Sequence, residues 1–338
     1  MIGTLLALLV FFALFGIFLT QYVPLWMTDN EAQFTNAAAT SFAQFKGDID
    51  SQYVLGLPPS LGTPFTISSA GVPLIAQPTE ATLSFLAQTC PGGFYAKGGI
   101  GATAANYGQP TNPGYCIFEN QSLSTGPGGS RAFYLSAATG VLSMVLPNRY
   151  YTSETFLFED DGVVQGQSQG YQVMAFSPPF NVTRQAGNTT VSSSFLQLYG
   201  NATTVIGQGA EEVYSHLRYT QQIASNGKAT SLTNSTLRPF NYTFEVGTQF
   251  PCAWSSFLRA QLNVSGLSYV ASPSWSASGN TPSYNFSIPF PHAQTLPYTG
   301  SCNNPYSVTT LIAVTLFQVN YASLFYAGVQ VNVGVGGV

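Results

Sequence analysis

The sequence predicts an α+β protein: a long hydrophobic amino-terminal α-helix followed by an all-β head of Ig-like β-sandwich type, built from two β modules. Three observations predict it. No charged residue precedes Asp29. The next stretch repeats apolar residues at helical spacing, and from about Leu55 the chain breaks into short β-branched and aromatic runs separated by Gly, Pro, Asn and Ser. The expected divisions are 1–54 for the helix, 55–224 for the first part of the head and 225–338 for the second.

Between Met1 and Met27 nothing is more polar than Thr4, Thr20 and Gln21, and a helix crosses a bilayer with about 20 such residues. No Lys or Arg precedes Lys46, so the basic start of a secretory signal and the usual orientation signal are both missing. One explanation covers both: a short basic leader has been removed and position 1 is a mature terminus, the alternative being an uncleaved anchor with a native start. Leu5, Leu8, Leu9, Phe12, Phe15 and Leu19 are the expected core of whatever this segment packs into. Pro24 should kink or loosen the helix.

Beyond it, Phe34, Ala38, Phe42, Phe45 and Ile49 recur at spacings of four, four, three and four, the stripe of an amphipathic helix. Thr28 or Asp29 is the expected cap of this half, with Glu31 in its first turn. Joined, the two halves make a helix of about 75 Å. Its greasy outer face, with Phe34, Phe42 and Phe45, must pack on its own head or on neighbouring copies.

In the head, Thr82–Leu86, Ala132–Leu135, Val141–Leu146, Thr155–Glu159, Tyr171–Phe176 and Val191–Leu198 read as strands. Asp161-Gly162 is the expected hairpin turn between FLFED and VVQGQ. The stretch 225–235 is poor in large apolar residues and is the expected linker. Residues 308–335 are nearly as apolar as a membrane span, but Gln318, Asn320 and the alternation of VQVNVGV argue for two buried strands.

Cys90, Cys116, Cys252 and Cys302 form no C-x-x-C pair, and His216 and His292 are the only histidines. No metal site is expected. Disulfides are, with 90–116 and 252–302 the local pairing among three connectivities, worth about 3.5 and about 4 kcal/mol in the chain-entropy model. Oxidised cysteines place the head outside the cytoplasm. Eight N-x-S/T sequons, at Asn120, Asn181, Asn188, Asn201, Asn234, Asn241, Asn263 and Asn285, point to N-linked glycans on an exterior surface.

No candidate catalytic residue emerges, and no cofactor site: there is no G-x-S-x-G elbow, and KGGIGATAAN lacks the strand and third glycine of a dinucleotide loop. The triplet Glu159-Asp160-Asp161 lacks the alternating ligands of a Ca²⁺ loop and reads as a solvated hairpin tip. Nine Lys and Arg against thirteen Asp and Glu leave no basic field for nucleic acid.

In order along the chain, the charge-free helix, YVPLWMTDNEAQFTNAAATSFAQFKGDID, GTPFTISSAGVPLIAQPTEATLSF, LPNRYYTSETFLFEDDGVVQGQSQGYQVMAFSPPF, LYGNATTVIGQGAEEV and FPCAWSSFLRAQL resemble archaeal surface proteins with a type IV pilin-like amino terminus. The likeness spans most of residues 1–265, and none of its motifs is catalytic. It implies a helix anchored in a membrane or packed in a filament core, with a β-sandwich head outside. Where bacterial pilins carry a glutamate, this chain has Leu5, which fits the archaeal pattern. The expected role is a structural subunit of an extracellular pilus-like filament serving surface adhesion, with copies of itself as partners, a membrane before assembly and no small-molecule substrate. The alternative is a monomeric membrane-anchored surface glycoprotein, an adhesin or S-layer-associated component.

Charged residues make up 7% of the chain, against roughly 25% in ordinary domains. They are unevenly spread: residues 246–338 hold one, Arg259. A head hydrated by hydroxyls, amides and glycans suits an acidic exterior, or copies packed side by side without repulsion.

Overall fold

A computed structural model describes residues 2–56, 59–73, 75–87, 117–124, 131–167, 170–185, 188–226, 240–269, 283–287 and 310–334. It opens with a continuous helical rod, α1 (Ile2–Ile17), a π-helical turn (Phe18–Tyr22) and α2 (Val23–Leu55), about 80 Å long at about 1.5 Å per residue. Pro24 loosens this rod without breaking it. Proline has no N–H to offer the carbonyl four residues back, and the preceding turn widens so that Val23 N–H bonds the Phe18 carbonyl, five residues away. No new cap forms at Thr28 or Asp29. The Thr28 hydroxyl instead donates to the Pro24 carbonyl (2.8 Å) inside an uninterrupted helix. The rod ends at Gly56, whose φ of 73° is the left-handed conformation that glycine adopts without cost.

The β-rich head follows in two sheets. Its strands are β1 (Leu61–Thr66), β2 (Thr82–Leu86), β3 (Ile117–Ser124), β4 (Arg131–Thr139), β5 (Val141–Leu146), β6 (Glu154–Glu159), β7 (Gly162–Gln167) and β8 (Gln172–Phe176). Then come β9 (Asn181–Gln185), β10 (Asn188–Tyr199), β11 (Thr203–Ile206), β12 (Ala210–Asn226), β13 (Phe240–Thr248), β14 (Ser268–Tyr269), β15 (Ser283–Ser287) and β16 (Thr310–Val333). The smaller sheet has the order β11-β2-β5-β6-β7-β8. The larger has ten strands organised around β16.

β16 is a single strand of 24 residues, not the two strands expected from residues 308–335. Asn320 follows the buried Val319, and its Oδ1 accepts from Thr189 N–H of the neighbouring β10 (2.9 Å), so the strand continues through it. β13 and β15 pair antiparallel with its first half, β12 pairs antiparallel with its second half, and β10 runs parallel to it across the span from Val319 to Gln330. Strands on both sides of residues 225–235 therefore lie in one sheet, with β16 between β10 and β12.

Each half of β16 serves a different core. On one face, Ala327, Val329 and Val331 join Leu196, Leu198, Val213 and Leu217 against α2 and the smaller sheet. On the other face, Ile312, Val314 and Leu316 join Phe244 and Val246 beneath α3 (Pro251–Val264), whose Trp254, Leu258 and Leu262 are fully buried. Among the described residues of the head, this helix interrupts a run of strands. Proline at its first turn costs no hydrogen bond there, and its apolar residues follow helical spacing.

The seated half of the rod is a wedge between the two sheets. The Phe42 ring lies 5.1 Å from Phe65 of β1 and 5.7 Å from Phe156 of β6; the Phe45 ring lies 5.1 Å from Phe158 of β6. Both are completely buried. Phe45→Ala is expected to cost about 3–5 kcal/mol, the range for emptying a buried aromatic site, read as a lowered denaturation midpoint with unchanged secondary structure at low denaturant.

Candidate functional site: the amino-terminal rod and its seat

Two halves of one helix meet opposite fates. From Gly3 to Tyr22 no residue is buried. Leu5, Leu8, Leu9, Phe12 and Phe15 are all exposed, Leu9 by 69%, and Leu19 and Pro24 are half-buried. Rings self-stack along one flank: Phe11 on Phe15 (5.9 Å), Phe18 on Tyr22 (6.1 Å) and Trp26 edge-on to Phe18 (5.5 Å). Roughly 1.5 kcal/mol or more is gained for each large apolar side chain removed from water, so this surface belongs in an apolar medium. The rod is one helix long and apolar enough to cross a membrane.

Burial begins at Val23 and Met27 and continues through Phe34, Ala38, Phe42, Phe45 and Ile49. The amphipathic face thus packs on the chain's own head, and Phe34, Phe42 and Phe45 lie in its main core.

Polar side chains on the same face dock into the head's backbone. Glu31, expected in a first helical turn, is fully buried in mid-helix. The segment joining β5 to β6 turns three successive N–H groups onto its carboxylate: Arg149 (3.0 Å), Tyr150 (2.7 Å) and Tyr151 (2.7 Å). The Thr79 hydroxyl donates to the other oxygen at 2.6 Å. Such a run of N–H groups forms an anion-binding nest. Burial by itself would raise the Glu31 pKa, but the hydroxyl and the three backbone donors outweigh it and hold it below the ordinary carboxylate value.

Further along, the Ser41 hydroxyl donates to the Pro64 carbonyl (2.8 Å), and the Asp48 carboxylate accepts from the Thr63 hydroxyl (2.6 Å). The Gln52 amide mimics a strand partner: its Nε2 donates to the Ser215 carbonyl (3.0 Å) and its Oε1 accepts from Leu217 N–H (2.9 Å). Those contacts satisfy β12 where its register shifts between Leu217 and Tyr219. Lys46 is 2.9 Å from Asp161 and 3.3 Å from Asp50.

The acidic triplet is not a solvated tip. Glu159, Asp160 and Asp161 are all buried, because the hairpin between β6 and β7 points inward, beneath α2 and α3. The turn residues are Asp160 and Asp161, with φ of 46° and 59°, and Gly162 is already in β7, paired with Glu159. Two successive positive φ values mark the tight hairpin turn whose twist suits the flanking strands. The Glu159 Oε1 accepts from the Thr248 hydroxyl and the Trp254 indole, both at 2.5 Å, while its Oε2 and the Asp161 Oδ2 have no hydrogen-bond partner among the described residues.

Burial pushes Glu159 up to about 7 against the lowering effect of Thr248 and Trp254, and pushes Asp161 up to about 7 against the attraction of Lys46. Folding therefore favours their protonated forms. Their contribution to stability is whole below the ordinary carboxylate pKa and is lost as pH rises through 7. Glu31 has the opposite sign: its contribution is present above the ordinary value and is lost as pH falls through its lowered one.

Of the other residues singled out from sequence, Cys252 is disulfide-bonded, and Cys90, Cys116 and Cys302 lie outside the described residues. Asn181, Asn188, Asn201 and Asn263 are exposed and Asn241 is half-buried. Asn120 and Asn285 lie on β3 and β15, and Asn234 is outside the described residues. His216 is half-buried on β12; His292 is not among the described residues. Among the described residues, no group of three or more His, Cys, Asp or Glu is arranged to hold a metal. Family models, curated proteins and solved structures give no match to this chain.

Glu31→Gln should cost about 2–3 kcal/mol, as expected for charge-assisted bonds lost in a buried site, and should speed amide exchange from Thr28 to Gln52 before the strands are affected. Thermal unfolding should come several degrees later at pH 5 than at pH 8, and Glu159→Gln should shrink that difference.

Proposed function

We propose that the protein is the structural subunit of an extracellular, type IV pilus-like filament, in which residues 2–22 bundle with those of other copies and the β-rich heads form the outer sheath. The observation that supports this reading is the unbroken helical continuity of the rod. The apolar half is not joined to the head by a tether; it continues as helix, through the π-helical turn, into a half held by the Phe42 and Phe45 wedge and the Glu31 carboxylate. A bilayer anchor works with a flexible link. A repeating bundle needs every copy to present its apolar rod at the same angle to its head, because the helical repeat is set by that angle.

Leu5, Leu8, Leu9, Phe12, Phe15 and Leu19 form the bundle core in this reading, and the membrane holds the subunit before assembly. Lipid and a helix bundle are of similar polarity, so assembly is driven by side-chain packing and head contacts rather than by removal from water. Exposed sequons at Asn181, Asn188 and Asn201 would carry the sheath's glycans.

Electron microscopy of sheared native surface material, labelled for this chain, tests the proposal. Fibres containing the chain are expected, and Phe12→Asp should abolish them while Phe12→Leu retains them. Recovery of the chain only as a detergent-extracted monomer, or fibres unaffected by Phe12→Asp, would replace this reading with the membrane-anchored surface glycoprotein.

A further inference from the structure

We propose that the outer face of the ten-stranded sheet at Tyr219 is a binding platform for a pyranose ring of a neutral hexose oligosaccharide. Tyr219 is 41% exposed at the end of a descending aromatic row in which Tyr326 is nearly buried and Phe195 fully so; ring centres are 5.4 Å apart from Phe195 to Tyr326 and again from Tyr326 to Tyr219. The far edge of its ring lies over Gly328 of β16, where a Cβ would come within 2.3 Å of the ring carbons, so glycine is the residue that admits it. Its hydroxyl donates to Gln197 Oε1 (2.7 Å) and sits 2.9 Å from the Tyr326 hydroxyl. The ring is held from below, from the side and at its tip, and still offers a face to solvent. Such fixing lowers the ordering cost of binding.

The surroundings say what kind of ligand fits. Beside the ring, the Arg218 guanidinium forks onto Gln330 Oε1 (2.8 and 2.5 Å), which leaves the Gln330 amide nitrogen as a donor. Gln221, in register with Tyr326, is exposed on the same face of the strand. One aromatic face flanked by the Gln221 and Gln330 amides and the Arg218 guanidinium matches a pyranose, whose axial C–H groups meet the negative π face and whose rim of hydroxyls exchanges hydrogen bonds.

A strand-forming peptide fits less well. β12 is paired with β1 as far as Ser215 and capped by Gln52 as far as Leu217; beyond that its edge is open among the described residues, but the irregularity between Leu217 and Tyr219 breaks the ladder an added strand would follow. A sugar source also lies close in the fold. The exposed sequon residue Asn201 is two positions beyond Tyr199, which is in register with Gln330. The ring is therefore supplied either by an external glycan or by a glycan on this chain.

Saturation-transfer NMR on the full chain in detergent, with mannohexaose, maltohexaose and cellohexaose as probes, tests the platform. Transfer to sugar C–H protons, with upfield ring-current shifts, is expected for at least one probe. Tyr219→Leu should weaken binding about tenfold, and Tyr219→Phe, which keeps the ring, should stay within about threefold. Gln330→Ala leaves the aromatic row intact and should also weaken binding, which covers the case of a Tyr219→Leu chain that does not fold. Asn201→Gln separates the sources: stronger probe binding assigns the platform to the chain's own glycan, and unchanged binding to an external one. Absence of transfer with all three probes, or a folded Tyr219→Leu chain that binds like the parent, overturns the proposal.

Discussion

The Glu31 carboxylate couples the rod to the head, and most of the architecture is arranged around that coupling. A buried carboxylate is tolerated only when donors replace its water. Here the head supplies them from its backbone, the least adjustable part of the structure, so the angle at which the helix leaves the head is set by the path of residues 149–151. The aromatic wedge of Phe42 and Phe45 supplies the apolar burial, and Gln52 finishes the seat by completing β12. Apolar packing holds the helix in place; the carboxylate in its nest fixes rotation and register, which packing alone leaves looser.

β16 plays the corresponding part within the head. At about 3.3 Å per residue its 24 residues extend about 80 Å, comparable to the rod. One face of its second half serves the core under α2, and the opposite face of its first half serves the core under α3. A single strand thereby ties together two cores that would otherwise be separate modules, and it places the Tyr219 platform on the face turned away from the rod.

Several of the chain's few charges sit where they do structural work. Glu31, Lys46, Asp48, Glu159 and Asp161 all lie at or beside the contacts of α2 or α3 with the strands. Two of the acids are favoured in their neutral form and one in its charged form, so the first two contribute more to stability below neutrality and Glu31 contributes above its lowered value. That agrees with a surface hydrated by amides and hydroxyls, whose hydrogen bonding does not change when carboxylates protonate.

The sequence by itself determined what local pattern encodes. The apolar run to Met27, the helical stripe from Phe34 to Ile49 and the strand-forming character of the head are repeats of side-chain type at a fixed period, and each is readable without knowing what it touches. Tertiary structure alone decided the partners. From sequence Glu31 reads as a first-turn residue because its donors come from a segment more than a hundred positions away, and the acidic triplet reads as a solvated tip because Thr248, Trp254 and Lys46 are remote in sequence. Residues 308–335 read as two strands because Gln318 and Asn320 resemble a break until the neighbouring strands β10, β12 and β13 are known. Period belongs to the chain, whereas the burial of a charge depends on which distant donors the fold brings to it.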